Sequence, residues 1–123
     1  SRGASKVFFF ENYYRSLEIL HKNIKKLKCE DKTIVFDEDA FNFYKNENLK
    51  KKKLDLIFLD PPYKQEDMKI ILNNIAKTKL LKKSGIVVLH RHKKTDDDFG
   101  NQFNIKRSEK YGVSKILFLK LFW

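Results

Sequence analysis

The stretch LDLIFLDPPY, residues 54–63, decides how the chain is organised. Its apolar run, Leu56 to Leu59, is typical of a strand that is buried on both faces, as strands of parallel sheets are. Pro61 and Pro62 have no backbone N–H and a fixed φ, so the strand must end before them. The stretch therefore predicts a stiff, extended loop at the carboxyl end of a strand, which is where ligands bind in open α/β sheets.

The groups that this loop presents suit a flat ring that carries an amine. The Asp60 carboxylate and the Pro61 carbonyl are two hydrogen-bond acceptors, and Tyr63 offers a flat π-face. The two acceptors would take the protons of an exocyclic NH2 group while Tyr63 stacks on the ring. The run from Asp60 to Tyr63 resembles the motif of amino-methyltransferases, and the resemblance implies methylation of the exocyclic nitrogen of adenine or guanine. The alternative is a plain turn at the end of a strand, with Tyr63 as a packing residue.

Size and composition set the broad class of the protein. The chain has 123 residues, so we predict a single domain with a hydrophobic core over residues 1–123. Its formal net charge of +11 indicates either an anionic partner, with nucleic acid as the first candidate, or a general lysine-rich composition. Cys29 is the only cysteine, which excludes an internal disulfide and predicts a reducing, cytoplasmic location. No apolar run approaches the roughly 20 residues of a membrane span.

Hydrophobic periodicity predicts strands and helices that alternate along the chain. The predicted elements are strands at residues 7–10, 33–36, 56–59 and 86–89, helices at 12–28 and 68–75, and a closing antiparallel hairpin of residues 103–109 and 113–122. The four lysines Lys50 to Lys53 predict an exposed loop, because like charges repel one another. We expect His90 to Lys94 to be a solvated basic loop that could contact phosphate. Its His-x-His pair lacks a supporting carboxylate or cysteine, so no metal site is predicted.

Two acids beside predicted strands are candidates for binding an adenosine-type cofactor. Glu11 follows the strand at residues 7–10 and could accept hydrogen bonds from ribose hydroxyls. The position of Glu11 alone favours a simpler role, a solvated acid at the start of the next helix. Asp39 lies where a strand passes into a helix and could bind the amino group of adenine. Capping a helix is the commoner role for acids in that region, Asp37 included.

These residues together resemble the bacterial 16S ribosomal RNA guanine-N2 methyltransferases, which are S-adenosylmethionine enzymes. The similar motifs are Ser1 to Ala4, Val7 to Glu11, Asp39-Ala40, Phe58 to Tyr63 and Tyr111-Gly112. The resemblance implies an α/β, partial Rossmann-like methyltransferase fold, with a mostly parallel sheet and a C-terminal antiparallel hairpin. The residues that it implies as catalytic are Asp60, Pro61, Pro62 and Tyr63, and those that it implies as cofactor-binding are Glu11, Asp39 and Ala40. The implied partner is ribosomal RNA or the small-subunit particle.

The chain departs from this family in two places. His90 stands where the family usually carries an acid. The family's first strand and glycine-rich loop would precede the residues seen here, and no Gly-x-Gly occurs in the sequence. We therefore expect an N-terminally truncated form that self-associates or receives the missing segment from another chain. The alternatives to ribosomal RNA methylation are a catalytically inactive fragment that binds RNA or a partner, and an adenine-N6 DNA methyltransferase.

Overall fold

The computed structural model of the chain describes residues 6–11, 13–61 and 67–122. It divides into two compact units, Ser1–Asn46 and Glu47–Trp123. The elements are β1 (Val7–Phe10), α1 (Tyr14–Lys26), β2 (Thr33–Phe36), β3 (Leu54–Leu59), α2 (Met68–Lys77), β4 (Leu81–His92), β5 (Phe103–Tyr111) and β6 (Ser114–Leu121), with short 3₁₀ helices at Glu30–Lys32, Ala40–Lys45 and Glu47–Leu49. The predicted strands and helices are therefore confirmed as elements, with differences in their bounds.

The first unit is built on a pair of parallel strands. β1 and β2 are aligned from Val7 opposite Thr33 to Phe10 opposite Phe36. The rings of Phe10 and Phe36 have centroids 4.9 Å apart, so aromatic contacts support the pairing. Helix α1 is shorter at both ends than its apolar stripe predicts. It ends where Lys28 adopts a φ of 55°, a left-handed conformation that stops helical hydrogen bonding.

The second unit is a four-stranded mixed sheet in the order β3-β4-β6-β5. β3 and β4 are parallel, whereas β4-β6 and β5-β6 are antiparallel. The predicted closing hairpin is confirmed, and Gly112 has a φ of +56° in its turn, a conformation that glycine adopts without strain. The buried apolar side chains of this unit come from one face of α2 and from alternate residues of β4 and β6: Met68, Ile71, Leu72, Ile75, Val87, Leu89, Leu117 and Leu119.

The prediction that β3 is buried on both faces is wrong for the described structure. Leu56 and Phe58 are each 60% exposed, and they point to the same side of the strand. Within the described residues β3 is hydrogen-bonded to β4 alone, as the last strand of its sheet. The expectation that a further segment or a second copy completes this region stays a prediction.

β4 is longer than predicted at both ends. Lys82 to Gly85 precede the predicted strand at residues 86–89, yet they belong to β4, where the pairing with β3 shifts in a bulge between the Leu54–Leu81 and Leu56–Ile86 pairs. The prediction of a solvated loop from His90 is also wrong for its first three residues. His90, Arg91 and His92 continue β4, because they pair with residues 116, 115 and 114 of β6.

The described residues contain neither a membrane-spanning helix nor a cluster of metal-ligating side chains. No helix in residues 6–11, 13–61 and 67–122 is both long and apolar enough to cross a membrane. The same residues contain no cluster of three or more histidine, cysteine or acidic side chains arranged to hold a metal ion.

Candidate active site

Asp60, just past the carboxyl end of β3, meets His90 of β4, two residues before that strand ends. Leu59 and Leu89 are partners in the parallel register, so the next residue of each strand, Asp60 or His90, lies at the same edge of the sheet. The Nδ1 atom of His90 lies 2.8 Å from the Oδ1 atom of Asp60. The Asp60 side chain is 58% exposed and that of His90 is 25% exposed. The carboxylate is therefore accessible to a ligand while one of its oxygens is held by the ring.

Pro61 follows Asp60 and is half-buried. The missing N–H and fixed φ of Pro61 explain why β3 stops at Leu59. Pro62 and Tyr63, the other two predicted catalytic residues, lie outside the described residues. The structure thus places Asp60 and Pro61 at the predicted edge of the sheet, and the stacking role of Tyr63 stays a prediction.

Arg91, which follows His90, points to the opposite face of β4 and is buried. Its Nε donates to Asp97 Oδ2 at 2.9 Å and its Nη2 donates to Asp97 Oδ1 at 3.0 Å. Only 2% of the Arg91 side chain and 5% of the Asp97 side chain are exposed. This two-point ion pair ties the segment after β4 to the strand, and alternation of side chains leaves His90 on the face that bears Asp60.

His92 accepts hydrogen bonds from the backbone of the residues that follow it. The Lys94 backbone N–H donates to His92 Nδ1 at 3.1 Å, and the Thr95 backbone N–H donates to the His92 carbonyl at 3.0 Å. His90 and His92 therefore use their Nδ1 atoms in different ways, one on a carboxylate and the other as an acceptor in a turn. The absence of a metal site at the His-x-His pair stays a prediction.

Glu11 lies past the end of β1, within the first unit. Its backbone N–H donates to the Phe36 carbonyl at 3.1 Å, which extends the pairing with β2 by one bond. Its Oε1 accepts from the backbone N–H of Tyr13 at 3.1 Å, just before α1 begins. Glu11 therefore supports the start of a helix, as its position alone favours. A carboxylate has about four lone-pair sites, so this contact leaves acceptor capacity for a ribose.

Asp39 caps the 3₁₀ helix that begins at Ala40. Its Oδ1 accepts from the backbone N–H of Phe41 at 2.9 Å. Asp39 therefore has the helix-capping role that is common for acids in this position. Binding of an adenine amino group by Asp39, and participation of Ala40 in that site, stay predictions.

Sequence reasoning missed His90 as a partner of Asp60. The signal that could have found it is the matching order of residues, since a buried run ends in Leu59-Asp60 on one strand and in Leu89-His90 on the next. When the apolar runs of two parallel neighbours end at the same level of the sheet, the residues that follow them lie side by side. Sequence reasoning also missed the Arg91–Asp97 pair, because a run of five basic or imidazole residues is typical of an exposed loop.

Comparison with known proteins shows the family of the chain. The family described as Conserved hypothetical protein 95 matches over residues 1–120. Ribosomal RNA small subunit methyltransferase D of Buchnera aphidicola is 31% identical over 94 residues, which cover 76% of this chain and 48% of that protein. The chain spans between 31% and 66% of the length of the curated relatives it matches.

Solved structures show the fold. A conserved hypothetical protein of Streptococcus pyogenes has a TM-score of 0.82 and 24% identity, covering 95% of this chain and 72% of that one. The protein SMU.776, solved in complex with SAH, has a TM-score of 0.72 and 13% identity, covering 97% of this chain and 40% of that one. The chain therefore has the Rossmann-like α/β fold of these proteins, with a partly parallel sheet and an antiparallel hairpin.

Proposed function

Because the chain belongs to the family described as Conserved hypothetical protein 95, we propose that it acts in the S-adenosylmethionine-dependent methylation of ribosomal RNA. The name of the Buchnera aphidicola relative, a small-subunit ribosomal RNA methyltransferase, supports this class of substrate. The finer proposal is that the methyl acceptor is the exocyclic N2 amine of a guanine in 16S ribosomal RNA. The observation that carries the proposal is the position of Asp60 and Pro61 in the loop that ends β3.

The amine of guanine is a poor nucleophile, because its lone pair is delocalised into the ring. The Asp60 carboxylate and the Pro61 carbonyl would each accept one of its two N–H groups. These hydrogen bonds localise the lone pair on nitrogen and point it away from the two acceptors. The main contribution of the chain is then positioning, which is worth several kcal/mol when reacting groups are held in line. Tyr63 would hold the plane of the base by stacking.

The residues of the first unit fit the adenosine end of the cofactor. S-adenosylmethionine supplies an electrophilic methyl group on a positively charged sulfur. Glu11 retains acceptor capacity for the ribose hydroxyls beside its bond to the Tyr13 N–H. Asp39, with Ala40 beside it, would accept the adenine amino group next to its capping bond to Phe41. The SAH bound in the structurally similar SMU.776 supports this cofactor, because SAH is what remains after the methyl group has left.

The charge of the chain suits an RNA substrate. The formal net charge is +11, and the exposed Lys93 and Lys94 directly follow β4, at the strand end where His90 and Asp60 lie. Lysines at this edge would contact phosphates on either side of a base that enters the site. The base must leave its stack in the RNA before it can enter the site, as in other enzymes that modify bases.

Transfer of radiolabelled methyl groups from S-adenosylmethionine to small-subunit particles tests the proposal. We expect incorporation by the 123-residue chain, loss of incorporation in Asp60→Ala, and retention in Asp55→Ala. Asp55 is a matched control, because it lies on the same strand and its side chain is 81% exposed. Equal incorporation by the Asp60→Ala variant would remove Asp60 from the mechanism.

Two further measurements would identify other functions. A chain that binds small-subunit RNA but shows no heat of binding to millimolar S-adenosylmethionine in calorimetry is an inactive RNA-binding fragment, and the proposal fails. Methyl transfer to naked duplex DNA in preference to ribosomal particles would instead identify an adenine-N6 DNA methyltransferase.

A further inference from the structure

We propose that His90 is a positioning residue for Asp60, whose carboxylate it holds in one orientation toward the amine of the RNA base. The inference rests on the methyl transfer proposed above, because Asp60 needs an orientation only if it receives an amine. It adds to the run Asp60 to Tyr63 a residue from a neighbouring strand.

The register of the sheet brings the two residues together. Leu59 lies opposite Leu89, and Asp60 and His90 each follow directly. Neighbouring strands lie about 4.8 Å apart, a spacing that two side chains on the same face span readily. The distance of 2.8 Å from His90 Nδ1 to Asp60 Oδ1 is that of a hydrogen bond to an ionised acceptor.

The chemistry of the two side chains decides which of them donates the hydrogen bond. An ionised carboxylate has no proton to give, so it accepts at both oxygens. Nδ1 of His90 must therefore carry the hydrogen, and it donates to Oδ1 of Asp60. The hydrogen bond at one ring nitrogen fixes the tautomer of the imidazole. His90 is accordingly assigned as the Nδ1–H form whenever the ring is neutral.

The surrounding structure anchors His90 more firmly than Asp60. His90 lies within β4, which pairs with β3 on one side and with β6 on the other, where His90 lies opposite Ile116. Its neighbour Arg91 is fixed by the buried Asp97. Asp60 lies one residue beyond β3, and more than half of its side chain is exposed. The anchored ring therefore restrains the freer carboxylate and lowers the rotamer entropy that Asp60 loses when it binds an amine.

The hydrogen bond from His90 leaves the Asp60 carboxylate able to accept a hydrogen bond from the amine. One of its roughly four lone-pair sites is used by His90, and the others remain for an incoming N–H. A fixed carboxylate matters because methyl transfer depends on alignment, and a misplacement of about 1 Å can cost about a hundredfold in rate. His90 would thus act on the reaction through Asp60, without touching the base.

A spectroscopic experiment tests the hydrogen bond without any need for activity. Nitrogen-edited side-chain spectra of the ¹⁵N-labelled chain, recorded where imidazoles are neutral, should show the Nδ1–H form for His90. The His90→Leu variant identifies its signals among the three histidines. The Asp60→Ala variant should shift His90 toward the Nε2–H form. A neutral His90 that carries its hydrogen on Nε2 in the unsubstituted chain would overturn the proposal.

Kinetics test the consequence. His90→Leu removes the donor and should lower kcat for methyl transfer about tenfold to a hundredfold, with the KM for RNA unchanged. His90→Asn keeps an N–H donor near the position of Nδ1 and should recover most of that loss, a rescue that a purely structural role would not predict. His21→Leu, the same substitution at an exposed histidine of α1, is the matched control and should keep the original rate. An undiminished kcat in His90→Leu, or a His90→Asn variant as slow as His90→Leu, would contradict the positioning role.

The two proposals fail in distinguishable ways. No methyl transfer by the unsubstituted chain refutes the proposed function, whatever the spectra show. Methyl transfer that is insensitive to His90→Leu refutes the positioning role and leaves the proposed function intact.

Discussion

Arg91 and Asp97 form a nearly fully buried, two-point ion pair, with Nε–Oδ2 and Nη2–Oδ1 distances of 2.9 and 3.0 Å. The pair fixes β4 one residue after His90, and it does so on the face opposite to the one that bears Asp60. The candidate site therefore depends on a buried charge pair for the placement of its edge, as well as on the residues that would contact a ligand.

Breaking this pair should destabilise the fold strongly. Arg91→Met leaves the Asp97 carboxylate buried without its partner, which should lower the free energy of unfolding by about 3–5 kcal/mol. Lys50→Met is the matched control, because it removes an exposed ion pair with Glu47 and should cost less than about 1 kcal/mol. Urea denaturation followed by circular dichroism measures both. An Arg91→Met cost as small as that of Lys50→Met would mean that the pair is not buried in solution.

Neighbouring strands should respond very differently to loss of a leucine side chain. Leu89 of β4 is fully buried, so Leu89→Ala should lower the free energy of unfolding by about 2–5 kcal/mol. Leu56 of β3 is mostly exposed, so Leu56→Ala should cost less than about 1 kcal/mol. The same denaturation experiment compares the two variants. If Leu56→Ala costs as much as Leu89→Ala, this face of β3 is covered in solution, as a further segment or a second copy would cover it.

Asp98 should titrate below its usual range. The backbone N–H of Gly100 and the charge of Lys69 lower the pKa of the Asp98 carboxyl. A carboxyl whose pKa is lower in the folded than in the unfolded chain adds stability above its unfolded pKa, about 3.9, and loses it as the pH falls through the folded pKa. Carboxyl carbon shifts measured by NMR should give a midpoint below the usual value. Lys69→Met should raise that midpoint only partly, because the Gly100 contact, the larger cause, remains. A midpoint unchanged by Lys69→Met would exclude the contribution of its charge.

Local patterns predicted most of the fold. Apolar runs and helical stripes identified the strands at residues 7–10 and 33–36, both helices and the closing hairpin, because each is specified by residues close together in the chain. Pro61 likewise fixed the end of β3 and the position of Asp60. These features follow from backbone chemistry that needs no distant partner.

The features that sequence reasoning missed depend on distant pairing. His90 to His92 form strand instead of loop because residues 114–116 pair with them, 22 to 26 residues later in the chain. The contact of His90 with Asp60 joins two strands thirty residues apart in sequence. Lys82 to Gly85 look like an interruption, yet a bulge accommodates them within β4. The exposure of Leu56 and Phe58 likewise depends on what covers the sheet, which an apolar run does not encode.

The identity of the methylated atom tests the central claim most directly. Small-subunit RNA treated with the chain and isotopically labelled S-adenosylmethionine would be digested to nucleosides and analysed by mass spectrometry. We predict labelled N2-methylguanosine from the unsubstituted chain and from Asp55→Ala, and none from Asp60→Ala. Label on a ring nitrogen, a carbon or a ribose oxygen would contradict the claim that Asp60 and the Pro61 carbonyl accept the protons of an exocyclic amine.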